Sequence, residues 1–405
     1  MFYFFILIVV SIIIGIMIGS LLTDSSTKST SDEGGQEEAG VQVTPPFESQ
    51  EPLEPPNDVV TLAPSPSFFK PEEIKVTASG KSFFLDFPEK LKVNLPQDFE
   101  FNGDFFFDEN GTLQDLAVKM NLPELDRLIE KHRKIVAWDL IHKAKSIRSN
   151  PKQVGLYSLN TYRTNTEQPR TIVEMQTFNT DYFTHQVMQS VYRELKESIH
   201  PIVRMTTENI PLYNAFLTCI ETNSVLIVHK DAKAQVLVME DVFIDQEGHS
   251  EVILTIKGTL TSKATLQQPL DLEPWLLSTL RDFVGISRSF FEHTDFRGLF
   301  HTLYLDRQNL RVGFVTSINT EKSIEELIDK LISDGQMTLK FTSVPLEKEL
   351  LENFLESIEF SAAEAFALEQ VAMLNGVDLF RYSQNMNALE YHRQGKPANP
   401  TVEIA

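Results

Sequence analysis

The 405-residue chain has a single cysteine, Cys219, so it can form neither an intramolecular disulfide nor a cysteine-rich metal site. This excludes a small disulfide-stapled ectodomain but does not choose a compartment. Tryptophan is nearly as scarce: two residues, beside nine Tyr and 29 Phe. Phe has no polar atom to satisfy, so most of these rings belong in a core. Positive charge is also short, with 36 Lys and Arg against 57 Asp and Glu and a net charge of −21. Such an acidic surface repels phosphate backbones, which disfavours nucleic acid as a partner. It also repels anionic lipid, so the soluble region is not expected to lie flat on such a membrane. There is no Walker loop, G-x-G-x-x-G, G-x-S-x-G or H-E-x-x-H, and no internal repeat.

The chain opens instead on a long apolar run. Residues 1–22, MFYFFILIVVSIIIGIMIGSLL, carry no charged side chain. As a helix they would span roughly 30 Å, the thickness of a bilayer core. Phe2, Tyr3, Phe4 and Phe5 fall where an interfacial aromatic belt would sit. Gly15 and Gly19 make a small-xxx-small pair that could let two such helices approach. A cleaved signal peptide is the competing reading. Against it, no Lys or Arg precedes the run, the run is long, and no A-x-A site follows. The expectation is therefore a single-pass N-terminal transmembrane anchor with the folded region on the cytoplasmic side. Lys28 is the sole Lys or Arg before Lys70, so flanking charge says little about orientation. Residues 23–70 read as a disordered acidic and Pro-rich linker, because such composition cannot bury enough apolar area to offset chain entropy.

Residues 71–156 read as a β-hairpin plus a helical segment. KSFFLDFP, LKVNL and FEFNGDFFFDENG carry strand-type residues, and the Asn-Gly pairs at 102–103 and 110–111 signal hairpin turns. A calcium loop is excluded there, since aligning Gly111 to the loop's glycine puts Phe106 and Ala117 at ligand positions. Residues 112–148 show helical periodicity, and their front part resembles a helix-turn-helix, read here as a plain helical hairpin. Lys131, Arg133, Lys134, Lys143, Lys145 and Arg148 make this the one locally basic segment. It is either a solvated face or a docking site for an acidic partner. Beyond it, strands are expected at QVGLYSLNTYR and RTIVEMQTF. A helix capped by Thr180 or Asp181 follows, then a series of apolar β runs. A further helix is expected near Glu273–Phe283, then strands at HTLYLD, LRVGFVTSI and LKFTSVP. Helices are expected at SIEELIDKLI and over Leu346–Leu374, and a tail over 385–405.

The landmarks between Tyr157 and Leu374 resemble a Nudix-superfamily domain. NAFLTCIETNSVLIVHKD is similar to its opening hairpin, ILTIKGTLTS to the strand before the signature loop, and EPWLLSTLRDFVGI to the signature helix ending in Gly-Ile. HTLYLDRQNLRVGFVTSI and LKFTSVPLEKELLENFL resemble the later hairpin and the closing strand and helix. The resemblance implies an α+β chain whose residues 157–384 form a mixed-sheet α/β/α sandwich. It also implies what is missing. The signature's carboxylates hold Mg²⁺ against a pyrophosphate. Anchoring on Gly285-Ile286, the first Gly becomes Ala264, the first Glu becomes Leu270, the Arg-Glu pair becomes Ser278-Thr279, and the Glu-Glu pair becomes Asp282-Phe283. One acid of four remains, which implies no hydrolysis of nucleoside diphosphates, no metal and no cofactor.

Other constellations are sparse. FFEHTDFRGLFHTLYLD gathers Glu292, His293, Asp295, Arg297 and His301; with Asp282, the residues His293, Asp295, Arg297 and His301 are the candidate ligand-binding set. His301 opens an apolar strand and also reads as a satisfied core or edge histidine. Cys219 and His229 are expected on adjacent strands of one hairpin, with Cys219 buried. Asp181 and His185 are one helical turn apart, without a third partner. No catalytic residue is assigned. The functional expectation is a membrane-anchored, non-catalytic binding or interaction protein, a sensor or assembly component, whose partner is another protein, a second copy or a small molecule. The alternative is a membrane-tethered hydrolase acting on a nucleotide-like or other phosphorylated substrate through an unrecognised site. A third reading, a structural subunit, requires exposed apolar faces on the helices after Leu346.

Overall fold

Alternating apolar residues after position 150 build a sheet buried on both faces. The computed structural model describes residues 59–379 apart from 93–94, 96–98, 100, 102, 104–112, 144–148, 168, 199, 231–232, 242–251, 262–271, 285–295, 324, 327–338 and 358–359. They fall in one compact unit, Pro55–Ala405. The expected anchor (1–22), Asn102, the Asn-Gly pair at 110–111, most of SIEELIDKLI and the tail after Asn385 lie outside the described residues. No helix among the described residues is long and apolar enough to cross a membrane.

In chain order the strands are β1 (Val59–Phe69), β2 (Ile74–Ser82), β3 (Lys152–Arg163), β4 (Thr171–Asp181), β5 (Ile220–Lys230), β6 (Lys233–Asp241), β7 (Val252–Ile253), β8 (Ile256–Thr259), β9 (Phe296–Asp306), β10 (Arg311–Ser323) and β11 (Leu339–Pro345). Single turns aside, the helices are α1 (Leu113–Lys119), α2 (Leu125–Lys143), α3 (Tyr182–Glu197), α4 (Leu272–Val284), α5 (Lys348–Ser357) and α6 (Ala362–Leu374). The chain is a mixed α/β protein with two mixed sheets. The larger runs β1-β9-β10-β5-β6-β11, with β7 on β6 and β8 on β5; the smaller is β2-β4-β3. β5 and β10 run parallel, Ile220 beside Val312, and β2 and β4 run parallel, Ile74 beside Val173.

Side chains on successive residues of β5 go to opposite faces, as the pleat requires. Leu226 and Val228 join the cluster that holds Leu276 and Leu280 of α4. Val225 and Ile227 join the cluster that holds Leu351 and Leu355 of α5 and Phe366 and Val371 of α6. Helices thus cover both faces of the large sheet, which explains why β5 is buried along almost its whole length rather than alternately exposed.

The structure corrects the sequence reading in four places. The linker does not run to residue 70, because β1 occupies eleven of its last twelve residues, Val59–Phe69, paired antiparallel to β9. Among the described residues of 71–110 no local hairpin forms: β2 pairs with β4, about a hundred positions away, and LKVNL begins in a helical turn, Glu89–Lys92. The boundary placed between 156 and 157 falls inside β3, and one core cluster runs from Leu62 through Leu128 and Leu156 to Ile318. Finally, Cys219 and His229 are not on adjacent strands. Cys219 directly precedes β5 and His229 lies near its far end, so the side chains are about 33 Å apart at strand rise. The helical turn Asn214–Phe216 replaces the first strand of the expected hairpin.

Candidate functional site

The polar groups of the large sheet gather where β5 and β10 begin. Glu221 on β5 accepts from Arg311 Nη1 on β10 at 2.9 Å, and its side chain is 5% exposed against 30% for Arg311. Burial pushes the Glu221 carboxyl up, against the pull of Arg311. Burial draws Arg311 down more than any single attraction raises it, but Glu221, Cys219 and Asp306 together outweigh this and the guanidinium rises. Attraction therefore wins for the cation and desolvation wins for the carboxylate, so this pair places the two strands more than it stabilises the fold. Two residues on, Tyr304 of β9 lays its ring across Gly313 of β10, and Asn223 of β5 donates to its hydroxyl. A Cβ at residue 313 would sit 2.2 Å from Tyr304 Cζ, so only glycine admits this crossing. Gly313→Ala should cost about 1–3 kcal/mol by overpacking, read as a lower unfolding midpoint in urea.

The β9–β10 turn is tied down from both sides. Asp306 accepts from the backbone N–H groups of Gln308 (2.8 Å) and Asn309 (3.1 Å). From α3, Tyr192 donates to the Arg307 carbonyl at 2.6 Å and Gln189 Nε2 to that of Asn309 at 3.2 Å. Leu310 is held at φ +52° with its side chain buried.

None of these groups is poised for chemistry. Burial, then the Glu221 charge, pushes the Cys219 thiol up to about 12, so it is no nucleophile at neutral pH. Burial, then Arg311 and Arg193, pushes His185 down to about 3. Its Nδ1 sits 2.9 Å from Thr218 Oγ1, and its buried Nε2 has no hydrogen-bond partner. The Asp181–His185 spacing does not make a dyad: Asp181 caps α3, accepting from Thr184 N at 2.9 Å, and takes a second bond from Asn150 Nδ2 at 2.9 Å.

Three of the five expected ligand residues, Asp282, Arg297 and His301, are among the described residues. His293 and Asp295 lie outside the described residues, as do Ala264 and Leu270. Asp282 sits on α4, exposed, and takes two bonds from its neighbour Arg281, at 2.9 Å from Nε and 2.7 Å from Nη2. Arg297 is exposed on β9 opposite Asn319. His301 is enclosed in the core with Nε2 2.8 Å from Ser317 Oγ, which matches its reading as a satisfied histidine and removes it from the ligand set. Thr279, where the signature would carry Glu, packs its side chain over Gly258 of β8. Among the described residues no group of three or more His, Cys, Asp or Glu is arranged to hold a metal ion.

One constellation escaped the sequence reading. His132 of α2 lies with Nδ1 2.8 Å from Ser190 Oγ and Nε2 2.8 Å from Glu194 Oε2, both on α3, and Lys131 also binds Glu194. Serine, histidine and carboxylate in series are the parts of an acyl-transfer relay. Yet Ser190 is in the middle of a helix, where backbone N–H groups are already committed and cannot form an oxyanion hole. The arrangement clamps α2 to α3. Only the four-residue spacing of Ser190 and Glu194 was visible beforehand; His132 is 58 positions away.

Among the described residues one face open to a partner is the outer face of α2; Val118, Leu350 and Met373 are exposed elsewhere. Ile135 and Trp138 are 43% and 56% exposed, and His142 stacks on the Trp138 ring at 3.6 Å. Lys131 and Lys134 are exposed beside them. No family model matches the chain, and no curated protein matches it.

Proposed function

We propose that this chain is a membrane-anchored, non-catalytic binding or interaction protein whose folded region is a degenerate Nudix-like domain. The N-terminal uncharged run supplies the anchor, and the folded region works on the cytoplasmic side. The observation that carries the reading is the state of α4. Its outward carboxylate, Asp282, is taken up by Arg281, and the neighbouring position Thr279 is used for packing on Gly258. A Mg²⁺–pyrophosphate site needs several carboxylates on one helix face and its loop, and α4 does not offer them. Helices on both faces of a mixed sheet are consistent with the family resemblance.

The test uses the full-length chain in mild detergent, with Mg²⁺ and a panel of nucleoside diphosphate derivatives. No turnover above a heat-unfolded control is expected. Mg²⁺-dependent release of phosphate or nucleoside monophosphate, lost in Asp282→Asn, would refute the non-catalytic reading. The rival, a tethered hydrolase, draws on the Ser190–His132–Glu194 relay alone. Covalent labelling by a fluorophosphonate that disappears in Ser190→Ala would favour it.

A further inference from the structure

We propose that the exposed stripe of α2 is a docking surface for the anionic face of the bilayer that holds the chain's own N-terminal segment; the inference rests on the anchor reading above. Arg127, Lys131, Lys134, Trp138 and His142 recur at steps of four, three, four and four residues. On a helix they fall within an arc of about 80°, over a length of about 22 Å. A straight stripe of this kind can lie along a plane over its whole length. Trp138 provides an apolar side chain at its centre and Ile135 one at its edge, and Trp is the side chain best suited to the headgroup boundary.

Charge complementarity selects the lipid. α2, Leu125–Lys143, holds five Lys and Arg against three Asp and Glu, in a chain whose net charge is −21. Lys131 pairs with Glu194 and Lys134 with Glu130 at 2.9 Å, but both lysines are more than half exposed. Exposed pairs of this kind are weak, so lipid phosphates can replace them. The acidic remainder of the surface is repelled, which confines contact to this stripe and sets which way the folded region faces. An anchor on the same chain raises the local concentration of lipid, so a modest attraction suffices.

The test reconstitutes the full-length Trp275→Phe chain, leaving Trp138 as its single tryptophan, into vesicles of brominated phosphatidylcholine alone or mixed equally with brominated phosphatidylglycerol. Flotation with both vesicle types reports the anchor. The expected result is loss and blue shift of Trp138 emission on the mixed vesicles only, abolished by high salt and by Lys131→Glu with Lys134→Glu. Flotation with unquenched emission on both would overturn the docking proposal, keep the anchor, and leave the stripe to an acidic protein. Failure to float would overturn both.

Discussion

Replacing Arg311 by Met should destabilise the folded chain by about 3–5 kcal/mol, because it leaves a buried carboxylate without its counter-charge. The Glu221 side chain is 5% exposed and accepts from Arg311 Nη1 at 2.9 Å. Without the guanidinium, the upward push of burial on Glu221 is unopposed, and the group must fold in its protonated form. The loss should therefore be greatest above the ordinary carboxylate range and shrink as pH falls. The companion change, Glu221→Leu with Arg311→Met, removes both charges and should restore most of the stability, or exceed the parent. Urea unfolding of the full-length chain in detergent at two pH values measures all three. A single-variant loss below about 1 kcal/mol would mean that water reaches Glu221 and that the pair is a surface feature.

The second large effect is on pH dependence. His185 is held at about 3 in the fold by burial, against an ordinary 6.5, so the unfolded chain binds a proton that the folded chain refuses between those values. Its contribution is complete above pH 6.5 and is lost as pH falls toward 3, to the extent of about 4–5 kcal/mol. Glu369 on α6 runs the other way. Burial, then the nearby Asp378, raises it to about 7 from 4.5, so the folded chain holds a proton that the unfolded chain has released. Its stabilising share is complete below pH 4.5 and is lost as pH rises through 7, about 3 kcal/mol in all. Between pH 4.5 and 6.5 the two slopes oppose each other, giving a plateau with a fall on each side. His185→Gln should remove most of the acid-side fall, and Glu369→Gln the decline toward neutral pH. If the difference between parent and His185→Gln stays flat from pH 3 to 6.5, the histidine is not buried as described.

Much of the second half of the fold could be read in advance because its signals are local. β3 and β4 are strands where strands were expected, Asp181 caps α3, and α4 spans Leu272–Val284 where a helix near Glu273–Phe283 was expected. The misreadings share a cause. Pro64 and Pro66 made residues 59–69 look like linker, yet an edge strand tolerates proline because one side of it has no ladder to complete. The partner that makes β1 a strand, β9, lies some 240 residues later. β2 likewise depends on β4, and no local pattern announces either pairing. The place of His301 was hidden for a related reason: composition can gather it with charged neighbours, but only packing shows that it faces Ser317 inside the core.

The amino-acid order alone settles the chain's charge, its lone cysteine, its uncharged opening run and the periodicities that make α3, α4, β9 and β10. These are properties of residues and their near neighbours, and they need no partner from elsewhere. The tertiary structure decided which polar groups are silenced and which face is left open. Burial of Cys219, Glu221, His185 and His301, the Tyr304 crossing at Gly313, and the exposure of Trp138 depend on contacts between segments far apart in the chain. Desolvation and pairing across such distances are set only when the sheet has closed, and they decide whether a side chain serves the core or a partner.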